Sequence, residues 1–512
     1  MYNKERRVTM TERDVKSEVK AACDILRRDD GTSSVNDYME QLSWMLFLKI
    51  FEGIEKANED ITTMKGEQYT PIIDKKYRWS NWAGRDWIGK PKENLLELIE
   101  NKEDIDKIFT FIENPENAVI YFIDKVLFPY LRSLNGSSER LKIAHIFNEI
   151  NGNKVKSPYN LLDVIEKLDF INPNDYQDTH IISQYYEDLL QNMGSEAGWS
   201  GEFYTPRPII RFINNIIKPK VGNRILDPFV GSGGFLIEAY KQMKNELGSK
   251  LTKQENDVLQ TKTFYGQEKK PLPYLIGTMN LILHGILTPN YYRKNTLEED
   301  IHNVFDESKF DIILTNPPFG GRENKIVQNN FPYPIQATEA LALQYVMRKL
   351  ADNGRLGMVL PEGQVMFGGG KFAEIRKELL EKFNIFAIVS LPQGVFSSMG
   401  AGVKTNLLFF KKDGNPTDKI WYYELQGKFT KKQVIKDEDF EDVLKKFENR
   451  EISENSWITT IDEIKKRDYD LTSKNPNNKD KNEHKEPKEL LSEVEKINSE
   501  VDKIIKEIKE II

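Results

Sequence analysis

Residues Ile225 to Phe235 read ILDPFVGSGGF, an apolar run that ends at an acidic residue and passes into a glycine-rich loop. The pattern predicts a buried strand ending at Asp227 and a helix beyond the loop, which contains Gly231, Ser232, Gly233 and Gly234. Such turns let a backbone approach a nucleoside closely, and the N-terminus of the helix supplies unpaired N–H groups. The stretch lacks the G-x-G-x-x-G of dinucleotide-binding folds and the GK[ST] of P-loops, which argues against dehydrogenases and NTPases.

Around this turn, short β-rich runs alternate with helical patterns. The β-rich runs are Arg224 to Leu226, Phe264 to Gly266, Asp311 to Leu314, Leu356 to Leu360, Phe386 to Leu391 and Leu407 to Phe410. The helical patterns are Phe235 to Leu247, Tyr274 to His284, Glu339 to Leu350 and Phe372 to Phe383. This alternation predicts an α/β fold with a doubly wound sheet, in which ligands bind at the carboxyl ends of the strands.

The sequence divides into four predicted regions. Residues 1–170 form an N-terminal all-helical domain, because apolar residues recur there at three- and four-residue spacing. Residues 171–470 form the α/β domain, and residues 471–488 read as a charged linker. In residues 489–512, apolar side chains step alternately by four and three, which predicts a C-terminal heptad helix.

Composition excludes several classes of protein. The 512 residues carry 73 Lys and Arg against 80 Asp and Glu, a net charge of −7, so a broad basic surface that binds nucleic acid unaided is disfavoured. A single cysteine, Cys23, rules out a disulfide framework and a multi-cysteine metal site, and we expect no metal. The most apolar stretch, Pro273 to Leu287, is too short and too polar to span a bilayer, so we expect a cytoplasmic protein without membrane contact.

The sharpest local signal is DIILTNPPF, Asp311 to Phe319. A buried strand delivers Asn316 to a turn in which Pro317 and Pro318 restrict their own φ angles. An Asn before two prolines is also common as an ordinary turn. Here it follows the carboxyl end of a predicted strand, where Phe319 can present an aromatic face beside it. The stretch is therefore a candidate catalytic element.

A second candidate is FYGQE, Phe264 to Glu268, a short strand that closes on a carboxylate. An acid at the end of the second strand of a nucleoside pocket can accept two hydrogen bonds from ribose hydroxyls. Considered alone, Glu268 would more often be an ordinary surface glutamate.

Taken in order, these stretches resemble the N6-adenine DNA methyltransferases, and more closely the modification (M) subunit of type I restriction-modification systems. The resemblance covers most of the chain. It rests on the helical N-terminal region, on GEFYTPRPII (Gly201 to Ile210), on DPFVGSGGFLIEA (Asp227 to Ala239), on YGQE (Tyr265 to Glu268) and on NPPFGG (Asn316 to Gly321). It implies a methyltransferase domain that uses S-adenosyl-L-methionine.

The resemblance also implies a role for each matching residue. The methionine end of the cofactor is lined by Glu202, Phe203, Tyr204, Thr205, Pro206 and Arg207. Asp227 lies near the sulfonium and amino groups, residues 231–234 form the loop beneath the cofactor, and Glu268 holds the ribose. Many relatives place an acidic residue before Thr/Ser-Leu to contact the cofactor adenine. This chain has Asn295 there, whose side-chain oxygen can accept a bond from the adenine amino group.

The implied reaction transfers a methyl group to N6 of adenine in double-stranded DNA. The side-chain oxygen of Asn316 and the carbonyl oxygen of Pro317 accept the N–H bonds of the amine and align its lone pair. Phe319 stacks on the adenine once it is flipped out of the duplex. Methylation of cytosine C5 needs a nucleophilic thiol, which Cys23 does not supply because it lies far from every motif. Alternatives are methylation of a protein glutamine or an RNA base, and a scaffold that has lost activity.

The resemblance implies protein partners as well: a specificity (S) subunit, a restriction (R) subunit and a second copy of this chain. The chain contains no evident target-recognition domain, which fits its acidic balance. We predict that the heptad helix packs on the S subunit; packing on its own domain and self-association are the alternatives.

Two loops have predicted local roles. GGGK, Gly368 to Lys371, is a helix-entry loop or a phosphate contact, and Gly320 to Thr338 is a mobile flap over the target base or a disordered loop.

Overall fold

The computed structural model describes residues 12–83, 116–169, 205–396, 402–430 and 433–477. The α-helices are α1 (Glu12–Leu26), α2 (Val35–Met64), α3 (Trp79–Trp82), α4 (Asn117–Phe122), α5 (Phe128–Arg132), α6 (Ser138–Glu149), α7 (Pro158–Asp169), α8 (Arg207–Ile217), α9 (Gly234–Leu247), α10 (Lys253–Val258), α11 (Pro271–Leu283), α12 (Lys325–Gln328), α13 (Thr338–Lys349), α14 (Gln364–Phe367), α15 (Lys371–Lys382), α16 (Glu441–Phe447) and α17 (Ile461–Lys466). The 3₁₀ segments are Lys75–Tyr77, Gly248–Lys250, Thr296–Glu298, Asp306–Ser308 and Asp437–Phe440, and π-helical turns span Ile123–Leu127 and Leu259–Thr263. The strands are β1 (Ile225–Asp227), β2 (Phe264–Glu268), β3 (Asn290–Arg293), β4 (Phe310–Thr315), β5 (Leu350–Pro361), β6 (Asn384–Leu391), β7 (Thr405–Lys411), β8 (Lys419–Glu424) and β9 (Ser456–Thr460).

The nine strands form one mixed sheet in the order β3-β2-β1-β4-β5-β7-β6-β8-β9. The pairs among β3, β2, β1, β4 and β5 are parallel, whereas β7 runs antiparallel to both of its neighbours. The chain winds outward from β1 in one direction and then from β4 in the other. The point between β1 and β4 is therefore the place where such a sheet binds its ligands, at the carboxyl ends of the strands.

All six β-rich runs predicted from the sequence are strands, which confirms the α/β fold. Three further strands were missed. β3 is a four-residue edge strand with two exposed side chains, and β8 and β9 form an antiparallel pair at the far side of the sheet. β3 and β9 lie at the edges of the sheet, whereas β8 pairs with both β6 and β9 and is buried from Ile420 to Tyr423. The apolar run of β8 was a signal that the sequence prediction missed.

The central strand β4 shows how the sheet is held between two layers of helices. Ile312 and Leu314 are fully buried in one core, and Ile313 is fully buried in the other, because successive side chains of a strand point to opposite faces. Helices α8 and α9 cover the first face, and α13 and α15 cover the second. Burial on both faces explains why the run reads as continuously apolar in the sequence.

The N-terminal region is helical within residues 12–83 and 116–169, as predicted. Its core is built around α2, where Trp44, Phe47 and Phe51 are buried, and the Trp44 ring meets Phe128 edge to face at 5.1 Å. Ser34 caps α2 by accepting a hydrogen bond from the Asp37 backbone at 3.1 Å. The predicted boundary at residue 170 lies outside the described residues.

The predicted charged linker begins too early. Leu471 is buried. Its N–H donates a hydrogen bond to the Met366 carbonyl at 2.9 Å, and its own carbonyl accepts one from the Tyr422 hydroxyl at 3.1 Å. Asn475 is also buried and donates to the Glu454 carbonyl at 2.6 Å. Residues 471–477 are therefore part of the α/β body, because their backbone and side chains satisfy bonds there. The heptad helix at 489–512 lies outside the described residues.

In the part of the chain that the structure describes, every helix is too short or too polar to cross a lipid bilayer.

Candidate active site

The candidate site lies where β1 and β4 end side by side. Asp227 is the last residue of β1 and Thr315 the last residue of β4, and the Thr315 hydroxyl donates to the Asp227 carboxylate at 2.7 Å. Parallel pairing of Ile225 with Ile312 sets this register. The two motifs that carried the sequence prediction therefore meet at one edge of the sheet, although Asp227 and Thr315 are 88 residues apart along the chain.

The loop after β1 turns the chain into α9. Its start is held by the Asp227 carboxylate, which accepts the Phe229 N–H at 3.1 Å, and its end is Gly233, with φ of 86°. A side chain at that φ is strained, so the turn requires glycine. The Val230 N–H donates to the Gln267 carbonyl at 3.1 Å, which ties the loop to the end of β2. Residues 228–233 thus form a backbone-lined cradle at the N-terminus of a 14-residue helix.

Glu268, the last residue of β2, supports this loop directly. Its carboxylate accepts the Gly231 N–H at 3.2 Å and the Lys270 N–H at 2.8 Å. Burial raises the pKa of Glu268, while these backbone bonds act in the opposite direction. A carboxylate offers about four acceptor positions, so two remain for hydroxyl groups of a ligand. The contact with ribose that the resemblance implies for Glu268 stays a prediction; what the structure shows is that Glu268 holds the loop.

Asp227 is the most perturbed acid of the site. It is fully buried, and this burial raises its pKa to about 7, with a further contribution from the nearby charge of Glu268. The hydrogen bonds from Thr315 and Phe229 act in the opposite direction. Both bonds use Oδ1, and Oδ2 has no hydrogen-bond partner among the described residues. A buried carboxylate with an unused oxygen is suited to a cationic ligand, which would stabilise its ionised form.

Asn316 follows β4 and also has one unused oxygen. Its side-chain nitrogen donates to the Thr205 hydroxyl at 3.0 Å, whereas its Oδ1 is buried and unbonded within the described residues. Pro317 is buried next to it, and Pro318 is partly buried. An oriented amide with a free oxygen can accept a hydrogen bond from an incoming N–H group.

Phe319 is half-buried, and its ring meets the ring of Phe396 at 6.3 Å with an interplanar angle of 76°. Phe396 comes from the loop after β6, and the sequence prediction missed it. The signal was available, because Phe396 lies five residues beyond the predicted strand Phe386 to Leu391, at the edge where ligands bind. The two rings form an aromatic wall beside Asn316.

The EFYTPR segment reaches the site through its second half. Thr205 contacts Asn316, Pro206 caps α8, and Arg207 begins that helix. The guanidinium of Arg207 lies against Gly234, with Nη1 2.3 Å from the position that a Cβ there would take. Glu202, Phe203 and Tyr204 lie outside the described residues, so their predicted contact with the methionine end stays a prediction.

Asn295 has a local structural role, and its predicted contact with the cofactor adenine stays a prediction. It caps the 3₁₀ turn at 296–298: its Oδ1 accepts the Leu297 N–H at 3.3 Å, and its Nδ2 donates to Glu298 at 2.9 Å. The neighbouring Thr296 reaches the glycine loop, with its hydroxyl 2.5 Å from the Pro228 carbonyl. The sequence prediction missed Thr296, which resembles an ordinary helix-start residue.

The two other loops are built into the body. GGGK begins α15, which agrees with the helix-entry interpretation, and Arg376 donates to the carbonyl of Gly368 within it. The stretch Gly320 to Thr338 is not open chain: it contains α12, buries Phe331, and closes through the Thr338 N–H and the Gly321 carbonyl at 3.1 Å. The interpretation as a disordered loop is wrong, because Phe331 lies in the same buried cluster as Ile313 of β4. Across the described ranges, no three His, Cys, Asp or Glu side chains are grouped to hold a metal.

Comparisons with known proteins identify a family for this chain. The family model N-6 DNA Methylase matches residues 177–485, and the HsdM N-terminal domain matches residues 15–168. The EcoEI methylase subunit, a type I restriction enzyme subunit from Escherichia coli, is 36% identical over 481 residues, 90% of each chain. The StySPI methylase subunit from Salmonella potsdam is 28% identical and covers 81% of this chain and 72% of its own.

Two solved structures are similar over nearly the whole length. A chain from a study of complex assembly and conformational transition of the type I R-M system is 39% identical, with a TM-score of 0.73, and the match covers 98% of this chain and 99% of that one. A modification subunit of a type I restriction enzyme from Vibrio vulnificus YJ016 is 34% identical, with a TM-score of 0.79, and covers 91% and 97%.

Proposed function

Because this chain belongs to the type I restriction enzyme methylase subunits, within the N-6 DNA methylase family, we propose that the site at the ends of β1 and β4 transfers a methyl group to adenine N6 in DNA. One observation supports this most strongly. Asn316, with an unused side-chain oxygen, lies next in sequence to Thr315, which is bonded to the buried Asp227 carboxylate. An acceptor for an amine and a carboxylate for a cation are thus held side by side.

The described residues fit S-adenosyl-L-methionine, whose sulfonium supplies an electrophilic methyl group when it is bound. Asp227 offers an unbonded, buried carboxylate oxygen, which suits the positive charges of the cofactor. Glu268 retains acceptor positions for ribose hydroxyls while it holds the Gly231 backbone. Residues 231–234 let the backbone approach closely, and Arg207 lies beside them. The resemblance assigns Asn295 to the adenine of the cofactor and Thr205 and Pro206 to its methionine end. It assigns Glu202, Phe203 and Tyr204, which lie outside the described residues, to the methionine end as well.

The target amine is handled by the NPPF turn. The exocyclic nitrogen of adenine is a poor nucleophile because its lone pair is delocalised into the ring. Asn316 Oδ1 and the Pro317 carbonyl accept its N–H bonds, which favours a pyramidal nitrogen and aligns the lone pair with the methyl group. Pro318 stiffens the turn, and the bond from Asn316 to Thr205 orients the amide so that its oxygen is available. No covalent intermediate with the protein is required.

The base itself is held by aromatic rings. A flipped adenine leaves the stacking of the duplex, which costs a few kcal/mol. Stacking on Phe319 offsets part of this cost, and Phe396 supports the Phe319 ring from its edge. The acidic net charge of −7 favours a partner as the source of many of the phosphate contacts.

The chain therefore works as part of a complex. Its relatives are subunits of type I restriction enzymes, and an S subunit supplies sequence specificity, with a second copy of this chain and an R subunit as further partners. The S subunit delivers the catalytic chain to double-stranded DNA, in agreement with the lack of an evident recognition domain in this sequence.

The test is to co-express the chain with its S subunit in a host without adenine methylation and to read the DNA by single-molecule sequencing. N6-methyladenine at one sequence motif, absent with Asn316→Ala, is the expected result. Unmodified DNA, together with methyl transfer to protein or RNA in a radiolabel assay, would replace DNA with the alternative substrate class. Absence of transfer to any substrate would make the chain a scaffold.

A further inference from the structure

Helix α11 belongs to two cores at once. One face carries five buried apolar residues that lie in the same cluster as Trp44 and Phe47 of the helical domain: Leu275, Ile276, Met279, Ile282 and Leu283. On a helix these positions form one stripe. The opposite stripe, with Tyr274 and Leu281, lies in a core of the α/β domain.

The second face of α11 holds the glycine-rich loop. The buried side chain of Asn280 donates to the Ser232 carbonyl at 2.7 Å. Gly277 lets the helix approach so closely that a Cβ there would lie 2.4 Å from the Gly231 carbonyl oxygen. Leu281 packs beneath Gly233, at 3.2 Å from the position of a Cβ on that residue. The loop therefore rests on α11 at three consecutive residues.

The helical domain also contacts the edge of the sheet beside this loop. Glu149 of α6 pairs with Arg293 of β3, and the Lys142 ammonium lies 5.2 Å from the centre of the Tyr292 ring. β3 is hydrogen-bonded to β2, which ends in Glu268. In addition, the hydroxyl of Tyr291 donates to the Gly231 carbonyl at 3.2 Å. A second set of contacts thus connects the helical domain with the same loop.

We propose that the N-terminal helical domain sets the geometry of the cofactor loop through α11, and that Met279 is a positioning residue for cofactor binding. Protein cores are close-packed, so α11 shifts when the core on its outer face loses volume. The Ser232 and Gly231 carbonyls move with it, since they are bonded to or packed on the same helix. By linkage, cofactor binding stabilises the helical domain in return. This inference rests on the proposed function, because it takes residues 231–234 as the cofactor loop.

The test uses two cavity variants of the full-length chain in the same core. Met279→Ala removes volume on α11, and Leu161→Ala removes volume on α7, a helix that packs on α1 and α2. Both side chains are fully buried, and both variants should lower the melting temperature. We expect Met279→Ala to weaken S-adenosyl-L-methionine binding by about tenfold in calorimetry, because the cavity lies on α11, the helix that carries the loop. We expect Leu161→Ala to leave the affinity within about twofold of wild type, because its cavity lies on α7.

Two further measurements make the result decisive. Met279→Leu keeps the volume of the side chain and should restore wild-type affinity. Hydrogen exchange of the wild-type chain should slow in α2 and α6 when S-adenosyl-L-methionine is added. Equal affinities of Met279→Ala and wild type, or unchanged exchange in α2 and α6, would overturn the inference and leave the proposed function intact. Lack of binding by the wild-type chain would instead overturn the proposed function.

Discussion

The side-chain amide of Asn316 donates a hydrogen bond to the hydroxyl of Thr205 at 3.0 Å, and this bond joins two motifs that are 111 residues apart in the sequence. Because the amide nitrogen donates this bond, the orientation of the amide is set. The amide oxygen is then available to accept a hydrogen bond from an N–H group that enters the site. Thr205 therefore orients the side-chain amide of Asn316. This role requires no contact between Thr205 and the target base.

Replacing Asn316 with Ala should abolish most of the catalysis. The variant loses the acceptor that orients the amine, so we expect methyl transfer to fall on the order of a hundredfold or more. S-adenosyl-L-methionine affinity should barely change, because the contact is with the target. Single-turnover radiolabel transfer with calorimetry on the same preparation measures both quantities, and near-normal transfer would remove Asn316 from its role.

Thr205→Val tests the orientation itself. The variant keeps the shape of the side chain but removes the acceptor, which costs roughly 1 kcal/mol, or about fivefold in rate. Thr205→Ser keeps the hydroxyl and should retain most of the activity. If the Val and Ser variants methylate DNA at the same rate, the hydrogen bond does not orient Asn316 for catalysis.

Replacing Glu268 with Ala should weaken S-adenosyl-L-methionine binding by roughly several-fold to a hundredfold, because charge-assisted hydrogen bonds are lost. Part of the loss comes from the Gly231 N–H, which the carboxylate also holds. Calorimetry measures the affinity, and replacement of Glu255, a half-buried glutamate in the capping box of α10, with Ala is the control. Wild-type affinity of Glu268→Ala would move the ribose contact to another residue.

Asp227 should make cofactor binding pH-dependent. Its pKa is about 7 in the ligand-free protein, and a cationic ligand requires the ionised form. Below pH 7 the carboxyl must release a proton on binding, so the affinity should fall by about tenfold per pH unit. Calorimetry in buffers of different ionisation enthalpy should detect this proton release, and a flat profile below pH 7 would contradict it.

The same group gives an opposite trend in stability without ligand. The pKa of Asp227 is raised on folding, so the folded protein keeps a proton that the unfolded chain releases. The stabilisation of the folded protein by protonated Asp227 is fully present below pH 3.8, the pKa of the group in the unfolded chain. It is lost as the pH rises through about 7, the pKa in the folded protein. Asp227→Asn should remove this part of the pH dependence in thermal unfolding.

Truncation at Lys488 tests the predicted heptad helix. The truncated chain should fold and bind S-adenosyl-L-methionine, but it should no longer co-purify with the S subunit or methylate specific sites. A lone helix of this length is marginal in water, so its apolar stripe must pack against another surface. Assembly of the full complex by the truncated chain would contradict the assignment, and loss of cofactor binding would indicate packing on its own domain.

The local sequence was sufficient to predict the central strands and to identify candidate functional residues at their carboxyl ends. DIILT and ILD are continuous apolar runs because both of their faces are buried, and that burial is visible residue by residue. The glycine loop and the NPPF turn were recognisable because glycine and proline restrict the backbone in ways that few other residues do. Edge strand β3 left no such pattern, because it is only partly buried.

What the sequence alone determined is the set of elements and the chemistry at their ends: a carboxylate at the end of β1, another at the end of β2 and an amide directly after β4. Tertiary structure decided which of these groups meet and what supports them. The Asn316 bond to Thr205, the contact of Phe396 with Phe319 and the two-sided burial of α11 join residues that are distant along the chain. Periodicity reports only which face of an element is apolar, whereas the partner of that face is set by the packing of the whole chain.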